Sequence, residues 1–84
     1  MATTNIKHAY EVSIDAVKTG ERIKEFRVKN KKTIQDIAEF FNGISVQAIY
    51  KWERGVTFPN IDNLFALAKL YHVSTDELLV ERAA

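Results

Sequence analysis

Apolar positions recur at three- and four-residue spacing from about residue 19 onward, interrupted by short polar turn signals. Each such set predicts a short amphipathic helix. The first is expected from Thr19, read as an N-cap, to about Asn30, with Ile23 and Phe26 inward and the charges outward. Thr33 caps a second, in which Ile34, Ile37, Ala38 and Phe41 share one face, and Asn42-Gly43 stops it. Ser45 opens a third, with Ile44 and Ile49 placed for a hydrophobic staple and Ile49 and Trp52 inward; Gly55 ends it. Pro59 and Asn60 start a fourth helix to about Tyr71, read as buried through Ile61, Leu64, Phe65, Leu67, Ala68 and Tyr71. Ser74 and Glu77 make the capping box of a short fifth, stapled by Val73 and Leu78. The prediction is an all-α, compact five-helix bundle.

Residues 1–18 differ. Tyr10, Val12, Ile14 and Ala16 alternate with Glu11, Ser13, Asp15 and Val17, closer to a strand period than a helical one. One strand is not stable alone in water. The expectation is an N-terminal extension over 1–18, an extended arm whose first eight residues are disordered, followed by a folded domain over 19–84.

Composition narrows the class. Eighty-four residues, 46% of them hydrophobic, make one small domain with a modest core. With no cysteine there is no disulfide framework, thiolate metal site or cysteine nucleophile. Apolar runs fall far short of the roughly 20 residues that cross a bilayer, and residues 1–13 contain no apolar leader segment. These features point to a cytoplasmic protein with no membrane role. His8 and His72 stand apart, and neither a Gly-rich phosphate loop nor a nucleophile–base pattern occurs, so no catalytic residue, metal or cofactor is expected. The net charge of +1 conceals a basic block: Lys18, Arg22, Lys24, Arg27, Lys29, Lys31 and Lys32 against only Glu21 and Glu25. Such a block can steer a protein toward a polyanion, or can simply be a solvated lysine-rich helix.

The segment TIQDIAEFFNGISVQAIYKWERG, residues 33–55, reads as two short helices joined by a tight turn. Together with FPNIDNLFALAKLYHVSTDELL it resembles the lambda-repressor-like (Cro, XRE) helix-turn-helix family over about residues 20–80, with the motif at 33–52. The resemblance implies a lambda-repressor-like DNA-binding bundle whose third helix enters the major groove, where base pairs present an unambiguous donor/acceptor pattern. On that resemblance Val46, Gln47, Tyr50 and Lys51 face the bases. Gln47 suits an adenine edge, Lys51 a guanine edge or phosphate, and Val46 a thymine methyl; an exposed valine at a helix start has little structural reason. Tyr50 is large for a position where the family usually has a small residue. Thr33, Gln35, Ser45 and Asn60 lie at helix starts implied to meet the DNA backbone, with Lys32 and Arg54 as basic neighbours. Lys29 and Lys31 read more simply as solvated. Arg27 and Glu53 match a pair that ties helix one to the recognition helix, and Trp52 falls at a core position.

Three departures bear on the base code. Ile34 stands where the family commonly has glutamine, with Gln35 one place later; Asn42-Gly43 lengthens the turn by one residue; and the C-terminal half is acidic. The implied function is sequence-specific binding of double-stranded DNA by a bacterial or phage transcriptional regulator, a repressor acting by operator occupancy. One recognition helix reads too few base pairs for useful specificity, so a homodimer on a pseudo-palindrome is expected. Its surface is either helix five with Leu79 and Val80 or the arm pairing between subunits. With no room for a sensing domain, any signal would come through a partner, proteolysis or concentration. The alternative is an antitoxin-like interaction module that binds a small protein partner through Tyr10–Val17 and controls its own operon.

Overall fold

The computed structural model describes residues 13–83. Its element order is α1 (Ala16–Lys29), α2 (Ile34–Phe41), α3 (Val46–Glu53), α4 (Ile61–Tyr71) and α5 (Thr75–Leu78). Each helix start is set by a side chain that accepts an amide lacking an intrahelical partner. Asp15 accepts from Lys18 N, Thr33 from Asp36 N, Ser45 from Ala48 N, Asn60 from Asn63 N and Ser74 from Glu77 N. Reciprocal capping boxes close α2 (Thr33 with Asp36) and α5 (Ser74 with Glu77). Helix ends are turned by left-handed residues, Asn42 at φ 51° and His72 at φ 59°. Between α3 and α4, Gly55 takes φ 74°, and a Cβ there would fall 2.7 Å from Val17 Cα, so only glycine fits the turn.

The core joins all five helices: Ile23 from α1, Ile34, Ile37 and Ala38 from α2, Ile49 and Trp52 from α3, Leu67, Ala68 and Tyr71 from α4, and Leu78 from α5. Phe41 meets the Trp52 ring edge-on at 5.6 Å, which joins α2 to α3 through aromatic packing. Trp52 is therefore a core residue.

Several expectations change. Helix α1 begins at Ala16, three residues before Thr19, and Asp15 is its cap. Thr19 is instead fully buried, and its Oγ1 accepts from Val80 N at 2.9 Å. The supposed division between residues 18 and 19 thus falls inside α1. The described part of the arm pairs within the chain: Ile14 bridges Glu81 antiparallel, Asp15 N donates to Val80 O at 2.7 Å, and Arg82 N donates to Ser13 O at 2.9 Å. The two surfaces expected to join subunits, the arm and the segment after α5, are here each other's partners. Residues 1–12 lie outside the described part of the chain. On α4, Ile61 and Phe65 are not inward: they are 81% and 57% exposed.

Candidate nucleic-acid interface

The third helix is divided by its own periodicity. Ile49, Trp52 and Glu53 are buried, while Gln47, Tyr50, Lys51 and the C-cap Arg54 are exposed. The exposed four follow i, i+3, i+4, i+7 spacing and so form one stripe along the helix. Two carry a positive charge, one an amide with both donor and acceptor, and one a phenol ring, 52% exposed. That combination can bond base edges and phosphates along a single line.

The helix carrying this stripe is held firmly from behind. The Arg27 guanidinium grips the Glu53 carboxylate through two parallel bonds, Nε to Oε2 at 2.7 Å and Nη2 to Oε1 at 3.0 Å. A third bond runs from Arg27 Nη1 to the Lys32 carbonyl at 2.9 Å. One guanidinium thereby fixes the end of α3 and the turn into α2 relative to α1. The Glu53 side chain is only 3% exposed, and its hydrogen bond to Arg27 raises the arginine above its ordinary value. Nearby, Gly20 lets the backbone of α1 touch the end of α3: a Cβ there would sit 2.5 Å from both the Trp52 and Glu53 carbonyl oxygens. Behind the pair lies Tyr71, whose ring stacks on Phe26 at 6.5 Å. Its hydroxyl is buried with no hydrogen-bond partner among the described residues. Burial, then the neighbouring Glu53 charge, pushes the phenol well above its ordinary value of 10.0.

The start of α2 is arranged differently. Its capping box uses Thr33 Oγ1 for Asp36 N at 3.0 Å and Asp36 Oδ2 for Thr33 N at 2.8 Å. These bonds hold the Asp36 carboxyl below its ordinary value of 3.8, with the Thr33 backbone the largest cause. The amides of Ile34 and Gln35, the first two of the helix, have no intrahelical acceptor and remain able to meet an anion. Asp36 opposes this by placing a negative charge at the same end. Gln35 lines a concavity between α2 and α3 together with Asn42, Gly43, Ser45 and Val46. Gln35 therefore faces the start of α3 from the position after Ile34, which is committed to the core.

Not every residue expected at the interface lies alike. Gln47, Tyr50, Lys51, Lys32, Thr33, Gln35, Ser45, Arg54 and Asn60 are exposed. Val46 is partly buried and packs against the core, so the reading of an exposed valine with no structural purpose is corrected: its first duty is to seat α3. Asn60 uses Oδ1 to cap α4 at 2.8 Å and belongs to neither concavity beside α3, although its amide NH2 can still donate. Sequence reasoning passed over Lys24, which lines a concavity with Tyr50 and Arg54 at the end of α3. Its signal was present, since Lys24 lies three residues before Arg27 and shares that face of α1. Of the basic block, Arg27 and Arg22 serve the fold, the latter donating to Glu77 O at 3.1 Å. The arm expected to bind a partner is engaged over residues 13–17 by the C-terminal segment and by α1 itself; Tyr10–Val12 lie outside the described residues.

Comparison with known proteins agrees with this geometry. The sequence profile of the helix-turn-helix family matches residues 23–78. The HTH-type transcriptional regulator ImmR of Bacillus subtilis is 42% identical over 60 residues, covering 71% of this chain and 46% of that protein. Repressor protein C2 of Salmonella phage P22 is 43% identical over 60 residues, covering 71% of this chain and 27% of that protein. The HTH-type transcriptional activator BcrR of Enterococcus faecalis is 36% identical over 59 residues, with 70% and 28% coverage. The chain thus spans less than half the length of these relatives. Among solved structures, the restriction-modification controller protein C.AhdI of Aeromonas hydrophila superposes with a TM-score of 0.67 at 28% identity, covering 76% of this chain and 96% of that one. A profile match running from the core of α1 through α5, on a bundle that exposes one polar stripe of its third helix, places the chain in the helix-turn-helix family, of the Cro/C1 (XRE) type.

Proposed function

We propose that this chain is a sequence-specific double-stranded DNA-binding transcriptional regulator that acts by occupying an operator with α3 in the major groove. The observation that carries this reading is the exposed stripe of Gln47, Tyr50, Lys51 and Arg54 on a helix whose other side is locked by Arg27 and Glu53. A rigidly seated helix loses little freedom on docking, so its contacts appear as affinity. Gln47 and Lys51 read base edges, and Tyr50 contacts a base methyl or the sugar-phosphate. Lys32, Thr33, Gln35, Ser45, Arg54 and Asn60 hold the backbone. Val46 keeps a secondary apolar contact with the groove. Occupancy requires no catalytic chemistry and no cofactor, and its place of action is the nucleoid in the cytoplasm. The relatives include a repressor and an activator. Repression follows where the operator overlaps the promoter. A homodimer on a pseudo-palindrome supplies the specificity that one short helix lacks.

Selection of bound duplexes from a random pool tests this directly. An enriched palindrome is expected. Replacing Gln47 and Lys51 together by Ala should remove preference for the enriched site and leave thermal unfolding in place. Lys32→Ala or Arg54→Ala should instead weaken all sequences alike, each lowering the salt slope by about one unit. A pool without enrichment would overturn the proposal.

A further inference from the structure

Helices α1 to α4 each end in a left-handed residue, Lys31, Asn42, Gly55 and His72 in turn, and one of these ends is finished differently. After α1, α3 and α4 the next amide closes the turn: Lys32 N donates to Arg27 O at 3.1 Å, Val56 N to Lys51 O at 2.9 Å and Val73 N to Ala68 O at 2.9 Å. After α2 the equivalent amide, Gly43 N, donates no hydrogen bond among the described residues. A Cβ at Gly43 would meet nothing within 4 Å. Asn42 is exposed, and its carboxamide is likewise unbonded among the described residues. The other described asparagines are restrained. Asn30 donates from Nδ2 to Phe26 O at 2.7 Å, and the amide after it, Lys31 N, is held by Val28 O. Asn60 uses Oδ1 for Asn63 N and precedes a β-branched isoleucine. Asn63 lies within α4, where the next amide, Leu64 N, donates to Asn60 O at 2.8 Å.

We propose that Asn42-Gly43 is a self-modification site whose reaction weakens DNA binding. Gly43 N attacks Asn42 Cγ; the bond formed is N–Cγ, the bond broken is Cγ–Nδ2, and the Gly43 amide proton departs with the leaving ammonia. Water then opens the five-membered imide at either carbonyl. The products are aspartate and an isoaspartate whose main chain runs through Cβ. Water is the only co-reactant. Glycine places no side chain in the way of ring closure, and an amide that donates to nothing loses its proton without breaking a hydrogen bond. Closure also requires the Asn42–Gly43 peptide to rotate, and the missing turn bond and open space at Gly43 leave little to resist that motion. Either product puts a carboxylate in place of a neutral amide beside Gln35 and Ser45, in the concavity between α2 and α3. Both neighbours are assigned to the DNA backbone, so the new charge faces phosphates. Isoaspartate in addition lengthens the turn that sets α3 against α2. The consequence for binding rests on the operator reading, while the modification itself is testable without DNA.

The test holds the purified full chain in mildly alkaline buffer at physiological temperature, beside a free peptide spanning residues 39–46. Peptide mapping by mass spectrometry and isoaspartyl methyltransferase labelling follow both. Asn42 should convert to aspartate and isoaspartate within about tenfold of the peptide's rate, because an exposed turn with an unbonded amide opens at little cost. Asn30, Asn60 and Asn63 should persist over the same period. The aged chain should bind the duplex selected from the random pool about three- to tenfold more weakly, with the gap narrowing as salt is added. Asn42→Gly keeps the left-handed turn without a carboxamide and should age with no loss of affinity; Asn42→Asp should show the charge effect at once. Asn42 still intact when the peptide has reacted, conversion with affinity unchanged, or an equal loss on ageing Asn42→Gly would each overturn the proposal. Conversion as described in a chain whose fresh form selects no duplex would leave the modification site standing and remove the DNA-binding reading.

Discussion

Helices α3 and α4 are built on one plan and finished in opposite ways. Both bury one face in the same core, and both begin at a polar cap, Ser45 or Asn60. Outward, α3 carries an amide, a phenol and two cations, whereas α4 carries Ile61 and Phe65 with a charge at either end. Water tolerates the first surface indefinitely, because each group is hydrated until a better partner displaces the solvent. The second surface costs free energy for as long as it stays wet. Their backs differ too. The end of α3 is fastened by a buried ion pair and a glycine contact, while α4 relies on apolar packing, with a tyrosine whose hydroxyl has no partner among the described residues. The lesson is that a short helix asked to present polar chemistry needs orienting bonds behind it, and one asked to present apolar surface does not.

Breaking the fastening of α3 should have the largest effect. Arg27→Met leaves the Glu53 carboxylate, 3% exposed, without its counter-charge, and should cost about 3–5 kcal/mol in denaturant unfolding. Adding Glu53→Leu should recover most of that loss, because removing both charges removes the desolvation penalty with them. The recovered variant is the informative one. If the pair serves chiefly to orient α3, the double variant should fold well yet bind DNA with reduced discrimination; wild-type discrimination would reduce the pair to a stability element.

Gly20→Ala comes next, and two terms of opposite sign decide it. Alanine improves helix propensity by about 1 kcal/mol. Its Cβ would sit 2.5 Å from two carbonyl oxygens of α3, which are backbone and cannot rotate away. Overpacking of this kind costs about 1–3 kcal/mol, so a net loss of up to about 2 kcal/mol is expected, together with a shifted α3. A variant more stable than the parent would show that the helices separate easily, and would break the contrast between a fixed α3 and a merely packed α4.

The contrast also explains what could be read from the chain beforehand. Caps at Thr33, Ser45, Asn60 and Ser74 are local events, settled within three residues, and the sequence shows them. Thr19 misleads because Asp15 and Thr19 are equally good caps locally; the partner that decides between them, Val80, is 61 residues away. Ile61 and Phe65 satisfy a helical period, but periodicity gives only the presence of an apolar face and never what covers it. Val46 illustrates the reverse, an apparently idle valine with a core neighbourhood supplied by other helices. Gly20 was invisible for the same reason: its use is an approach by α3 that no nearby residue announces. The stripe on α3 was legible as exposed positions, whereas its roles toward DNA came from family resemblance. Lys24 shares the Arg27 face of α1 by its spacing, but the concavity it lines with Arg54 exists only once α1 and α3 have packed.

Tyr71→Phe gives the smallest effect and tests the back of α4. Removing a buried hydroxyl with no partner among the described residues relieves a desolvation cost, while the ring keeps its stacking on Phe26. The variant should equal the parent or exceed it by up to about 1 kcal/mol near neutral pH. Alkaline pH separates the two further. The phenol ionises near 10.0 when unfolded and well above that when folded, so the folded state binds the proton more tightly. Its contribution is complete below pH 10 and is lost as pH rises from there toward the folded value. The parent should therefore lose stability above about pH 10 more steeply than Tyr71→Phe, as followed by urea unfolding across that range. Parallel pH profiles would show that the hydroxyl reaches water, whereas a loss above about 1 kcal/mol at neutral pH would show that it is paired, and the back of α4 would then resemble that of α3.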